Sequence, residues 1–399
     1  GGGMVTASVV VLLLCGTSLH AQAPVLTLDS AVARALRSYP AITAAALEVR
    51  QQEALKKTAL QLQPLSAQLQ GGQINSTAND INLQATTGLP FPTAIAQRSR
   101  YLKESVKLAE SDRARIHAAV RESAAGAYLQ WAMGSARAAL LQRNDSAMQT
   151  LASMADRKFQ AGQTGRLEAL SARSAADQAR LAWNKARSDA AVYATELEQW
   201  AGPLNGALPD PAALSTLAMA PEPAADTGTT DPVLATARQQ AALAEAEWRM
   251  ERSQWAPSLL GGAVVQRIDG VFPYKGYILG TSIPLPGSGQ GARTKAARLR
   301  SEIALQQVDQ LQRARATELA ATRAQWAQLR ESLNYYEGTG AALANTLRND
   351  AGRAYRNGEV GYVEFLQGMD QARTIEEGHL AVRFQLGLAH LHVIALMGL

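Results

Sequence analysis

The chain has 399 residues, with 39 Lys+Arg against 34 Asp+Glu, a formal net charge of +5 and only 5% aromatic residues. Its single Cys excludes a disulfide framework and any cysteine-based metal centre. The basic excess is small and dispersed along the sequence, which argues against a nucleic-acid partner, and no run reaches 18 uninterrupted apolar residues, so no membrane-spanning helix is expected.

The first segment reads as an address. Ser8 to Gly16 is S-V-V-V-L-L-L-C-G, followed by small residues, the pattern of a secretory signal. Cleavage after Ala21 makes residues 1–21 the signal peptide and removes Cys15, whose preceding Leu14 is too bulky for the usual lipoprotein cleavage pattern.

The remainder is a duplication, and an internal repeat decides architecture before any single motif does. Pro40, Pro64 and Pro90 recur as Pro232, Pro257 and Pro284, at offsets of 192, 193 and 194. Arg157-x-Phe159-x-x-Gly162-x-x-Gly165-x-x-Glu168-x-Leu170 recurs as Arg353-x-Tyr355-x-x-Gly358-x-x-Gly361-x-x-Glu364-x-Leu366, every position shifted by 196. These landmarks divide the mature chain into a first repeat over 22–202, a Pro-rich linker over 203–231 read as unfolded, and a second repeat over 232–399.

Each repeat presents the same elements in order. A helix over 28–62, with Thr27 or Asp29 as its N-cap, matches one over 232–255, and Pro64 and Pro257 end the two. Two short alternating segments follow: 65–70 and 81–86 in the first repeat, 259–266 and 274–283 in the second. Next comes a proline-free helical stretch over 93–160, roughly 100 Å long at 1.5 Å per residue, and its twin over 293–357. Return helices over 167–200 and 363–397 complete each unit. Helices of this length cannot fold over one globular core, so they must lie in coiled-coil contact, where abundant Ala permits close approach.

The four strand segments have the length and alternation of transmembrane β-strands, one face apolar and the other Gln, Asn, Thr or Ser. Four strands in lipid leave two unpaired edges, each bare backbone group costing several kcal/mol. Three copies supply twelve strands, enough to close a barrel around a water-filled lumen. A small soluble β-cap on a helical rod is the competing reading.

The sequence resembles the TolC-like outer membrane efflux proteins. The resemblance covers nearly the whole mature chain and rests on L-T-L-D-S-A-V-A-R-A-L-R-S-Y-P-A-I (Leu26 to Ile42), on A-Y-L (Ala127 to Leu129), on the duplicated G-x-x-G turns and on the Gly-terminated ends of both repeats. It implies a mainly α fold with a small β part: a duplicated helix–β-hairpin–long-helix-hairpin unit that trimerises into a 12-stranded barrel, four strands per chain, on a long α-helical periplasmic barrel. It also implies an outer-membrane location with a periplasmic tunnel. The implied role is passive conduction for an inner-membrane pump, with a periplasmic adaptor docking near the lower end of the tunnel. L-N-Y-Y-E (Leu333 to Glu337), Tyr355-x-Asn357-Gly358-Glu359-Val360 and E-F-L-Q-G (Glu364 to Gly368) resemble the branch serving heavy-metal cation pumps. A drug-efflux or type I secretion duct is the alternative within the family.

By the same resemblance, Gly162, Gln163, Gly165, Gly358, Glu359 and Gly361 form the periplasmic tip turns and meet the adaptor. Glu168 and Glu364 then stand at the tunnel entrance, six carboxylates in a trimer, a field that favours cations. Read locally, each Glu is instead the third residue of its return helix and caps it, with Gly165 or Gly361 as N-cap. Arg166 has no basic twin, because Tyr362 occupies that place.

Nothing in the sequence supports catalysis or a cofactor: no nucleophile stands with a base, and no Gly-rich phosphate loop follows a strand. His390 and His392 are two apart on a helix and diverge by about 200°, so they cannot chelate together. The eight Met are unclustered in sequence, with no visible thioether ladder. The other function class is a non-conducting periplasmic coiled-coil adaptor. Such a protein carries one helical hairpin between compact β domains, whereas here two hairpins alternate with two strand pairs.

Overall fold

The computed structural model describes residues 24–60, 62–222, 231–285, 287 and 289–398; the signal segment 1–21 lies outside them. A two-residue strand β1 (Val25–Leu26) leads into α1 (Leu28–Ser38), whose N-cap Thr27 accepts the Ser30 N–H. The helix expected over 28–62 is broken at Tyr39. Pro40 forces the residue before it out of the helical region, and Tyr39 sits at ψ 126°. The chain restarts as α2 (Pro40–Lys56) and ends in a 3₁₀ turn over Lys57–Ala59, five residues before Pro64.

Strands β2 (Ser66–Gly72) and β3 (Asp80–Leu89) follow, then α3 (Pro92–Gln160), 69 residues long, and α4 (Arg166–Ala201). The linker expected to be unfolded holds β4 (Leu208–Pro209) and α5 (Ala213–Met219). Its apolar residues explain why: Leu204, Ala213 and Leu214 enter the central core with Leu129, Trp131 and Leu197. Tyr128 pins this segment, donating its O–H to Leu26 O at 2.7 Å and accepting the Asp210 N–H at 3.0 Å. β1 thereby pairs in parallel with β4.

The second repeat runs α6 (Pro232–Ser253), β5 (Ser258–Ile268), β6 (Val271–Ser282), α7 (Gln290–Tyr335), a π-helical turn over Tyr336–Gly340, α8 (Ala341–Asn357) and α9 (Tyr362–Met397). The π turn interrupts the twin helix expected to be continuous. Tyr336 fills the space above Gly378 and stacks on His379 at 5.6 Å. By length and mean hydropathy α9 is able to cross a membrane, although single polar residues interrupt its apolar run; it packs along α3, α5, α7 and α8. Small residues set the spacing of the hairpins, with Ala172, Ala176, Ala179 and Ala186 of α4 buried against α3.

Strands from both repeats form one antiparallel sheet in the order β2-β3-β5-β6, so β2 and β6 are its edges. Directly paired residues share a face. One face carries the rows Leu69–Leu83–Val265, Ala67–Ala85–Ala263–Tyr277 and Leu89–Leu259–Thr281, with Lys275 and Arg267 as its charged members. On this face Leu69, Tyr277 and Leu279 are 71%, 81% and 78% exposed. The opposite face carries Gln68–Gln84 and Gln70–Asn82–Gln266, and the amides bond across strands, Gln84 to Gln68 at 2.6 Å and Asn82 to Gln70 at 3.3 Å. In β5 and β6 that face is less polar than the alternation suggested, holding Leu260, Val264 and Ile278. At the far end of the sheet, buried Asp80 accepts the N–H groups of Asn75, Ser76 and Asp269, joining the two hairpin turns.

Candidate functional site: the helical tips

At the end of the chain remote from the sheet, both hairpins reverse with the same backbone geometry. After α3, Gly162 takes φ +70° and donates to Phe159 O, while the Gln163 N–H reaches Lys158 O at 2.9 Å. After α8, Gly358 takes φ +76° and donates to Tyr355 O, and the Glu359 N–H reaches Ala354 O at 2.9 Å. A left-handed residue is what ends a helix this way, and glycine alone adopts it without steric cost. Gly165 and Gly361 are the extended N-caps of α4 and α9. Gly162, Gln163, Gly165, Gly358, Glu359 and Gly361 are all exposed.

The two carboxylates behave differently. Glu364 closes a capping box, its Oε2 accepting the Gly361 N–H at 2.9 Å. Glu168 holds the equivalent position in α4, yet its carboxylate turns to Thr164 Oγ1 and to the Tyr355 hydroxyl of the second hairpin, the latter at 2.7 Å. Burial and the Glu168 charge push the Tyr355 phenol well above its ordinary value, and Tyr362 is raised for the same two reasons. Lys158 completes the contact: its Nζ donates to Tyr355 O at 3.3 Å and lies 4.4 Å from the ring centroid. Tyr355 also packs on Phe365 at 5.2 Å and edge-on to Tyr362 at 6.5 Å.

The structure thus gathers Lys158, Thr164 and Glu168 of one hairpin around Tyr355 and Tyr362 of the other, and leaves Glu364 at its own cap. Sequence reasoning named Tyr355 as part of the repeat and of the family resemblance but gave it no contact across the hairpins. A signal existed in the repeat itself, where Tyr355 is the counterpart of Phe159 with a hydroxyl added. The arrangement is a non-covalent clasp between hairpins.

Elsewhere, His390 is buried while His392 lies between Glu122 (Nδ1, 2.8 Å) and Glu318 (Nε2, 3.1 Å), so the two imidazoles diverge as their spacing requires. Among the described residues, no three His, Cys, Asp or Glu side chains are grouped to hold a metal ion.

No protein-family model matches the sequence, and no curated protein matches it either. Solved structures do. The Campylobacter jejuni CmeC outer membrane channel superposes with a TM-score of 0.75 at 14% identity, over 93% of this chain and 85% of that one. The outer membrane protein VceC of Vibrio cholerae gives 0.75 at 15% identity, over 93% and 96%. CusC, described in connection with transmembrane channel formation, gives 0.73 at 18% identity, over 95% of each chain. The fold is that of the TolC-like outer membrane channels.

Proposed function

We propose that three copies of this chain form an outer-membrane duct that conducts substrate passively to the exterior from an inner-membrane pump and a periplasmic adaptor. One observation carries this reading: a four-stranded sheet with two unpaired edges, one face apolar and exposed, the other lined with amides along β2 and β3. A soluble cap has no use for an exposed row of Leu and Tyr, and lipid does not tolerate open edges. Pairing β6 of one copy with β2 of the next removes the edges and turns the amide face to water. The helices extend the lumen into the periplasm, with the tips at the entrance.

Heavy-metal cations are the proposed cargo class, supported by the carboxylates of Glu168 and Glu364 at the tips. Gly162, Gln163, Gly165, Gly358, Glu359 and Gly361 are the proposed adaptor contacts, supported by their exposure at the hairpin ends. Planar-bilayer conductance of the detergent-purified protein, with native mass measured in parallel, tests the duct; a non-conducting monomer overturns it. A deletion strain challenged with metals, dyes and antibiotics tests the cargo, and sensitivity to dyes or antibiotics alone moves the assignment to drug efflux. Photo-crosslinking from Gln163 and Glu359 tests the adaptor contact, which fails if adducts form only from mid-helix positions.

A further inference from the structure

The positive charge that is dispersed along the sequence is gathered in space. Four helix ends meet the sheet: residues 50–59, 92–101, 244–253 and 290–299. These segments hold ten Lys or Arg against four Glu, an excess larger than the +5 of the whole chain, so the rest is net acidic. Each segment spans about 15 Å of helix at most. The collar therefore lies directly against the edge of the apolar face, at the level of the Leu89–Leu259 pair.

Within the collar, a cavity of about 620 Å³ opens between the first turns of α3 and the last turns of α6. Three arginines line it, Arg100, Arg249 and Arg252, together with Thr93, Ser253 and Trp248. Arg249 is paired with Glu245 at its rim, whereas Arg100 and Arg252 have no carboxylate partner among the described residues. Thr93 lies in the first turn of α3, where the Ala94 and Ile95 N–H groups already bond Phe91 O, so the anion-binding groups of the cavity are its side chains. The cavity sits just below adjacent strands, since β3 ends three residues before α3 and β5 begins five residues after α6. Exposed Trp255 stands in that second connection.

We infer that this cavity binds the phosphate headgroup of an anionic phospholipid in the leaflet that borders the helices. This rests on the outer-membrane reading above. Arginines match phosphate oxygens bidentately, basic pockets beside an apolar membrane face hold lipid headgroups, and Trp is the residue of the membrane–water boundary. The acyl chains of such a lipid lie along the row that begins with Leu89 and Leu259. The short steps of three and five residues between the cavity's helices and the strands that carry Leu89 and Leu259 favour a lipid over a soluble anion.

The test uses the full chain in phosphatidylcholine nanodiscs with and without phosphatidylglycerol, read by native mass spectrometry and thermal unfolding. The native chain is expected to retain phosphatidylglycerol severalfold over phosphatidylcholine and to unfold at a higher temperature when it is present. The triple variant Arg100→Gln/Arg249→Gln/Arg252→Gln should lose most of that preference, and the matching Arg→Lys triple should keep more of it. All three side chains line an open cavity, so neither set disturbs a core. Equal lipid preference in native and Gln-substituted chains overturns the inference. So does a variant altered only in ion selectivity, which puts the guanidiniums in the lumen, or equal stabilisation by inorganic phosphate alone. Failure of the native chain to insert and conduct overturns the duct itself, a separate outcome.

Discussion

The Tyr355 hydroxyl donates to Glu168 Oε1 at 2.7 Å across 187 residues of sequence, and this bond joins the two helical hairpins at their tips. Its counterpart cannot form, because Phe159 stands where the repeat would place a second tyrosine. The duplicated chain is therefore asymmetric at its hairpin tips. A hydrogen bond to a charged group contributes about 1.5–3 kcal/mol. On the duct reading, Tyr355→Phe should leave Glu168 bonded to Thr164 alone, loosen the contact between hairpins and raise channel open probability in bilayer recordings, with the assembly intact. An unchanged open probability would assign the bond to folding alone.

Replacing Glu168 and Glu364 together with Gln should lower cation-over-anion permeability in single-channel recordings. Glu364→Gln alone should also weaken the start of α9, because the neutral amide caps Gly361 less well than a carboxylate does. Unchanged selectivity in the double variant would leave the two residues with local hydrogen-bonding roles only.

Stability should fall on the acid side. His117, His379 and His390 are each held below the ordinary imidazole value of 6.5, first by burial and, for the first two, by neighbouring arginines. The folded chain keeps them neutral where the unfolded chain takes up protons. Stability is therefore complete above pH 6.5 and is lost as pH falls through the lowered folded values. Glu318, held below its ordinary value mainly by Arg315, adds a loss at more acid pH. Thermal unfolding of native chain and a triple His→Gln variant at pH 7.5 and 5.5 should give a smaller pH difference for the variant.

Tyr128→Phe removes the one hydroxyl that satisfies both Leu26 O and the Asp210 N–H. Leaving buried backbone groups unpaired costs roughly 1–3 kcal/mol. Hydrogen exchange should rise in β1 and over 208–219 while α3 itself stays protected. Uniform loss of protection would show that the tyrosine supports the whole helical layer instead.

Gly162→Ala and Gly358→Ala should each cost roughly 1–2 kcal/mol, since both glycines hold positive φ with open space around the missing side chain. The penalty is conformational, so Asn at either position should restore part of it. Chemical denaturation of the three forms checks this.

Much of the fold was legible because it is written twice. Prolines fix where helices stop, paired glycines fix where they reverse, and Gln/Leu alternation separates strands from the helices around them. The break at Tyr39 follows from Pro40 alone and was open to local rules, whereas the π turn at Tyr336 was harder to see, since it depends on what packs opposite, the bare backbone of Gly378. The linker misread has a similar cause. Its prolines suggested a loose chain, whereas Leu204 and Leu214 find a core built by α3 and α4. At the tips the glycines announced the turns, but the role of Glu168 depended on a tyrosine from the other repeat. Local rules for a capping residue describe Glu364 and cannot foresee that partner.

The sheet order β2-β3-β5-β6 places its central seam between the two halves of the polypeptide. Neither hairpin can be completed as part of a sheet until the long α3–α4 excursion has been made and the chain has come back. On the duct reading, the two outer strands then wait for neighbours, so a lone copy entering lipid would carry rows of unsatisfied peptide groups with it. Insertion and assembly become a single event, second order or higher in protein, and copy number in the periplasm sets the rate at which ducts appear.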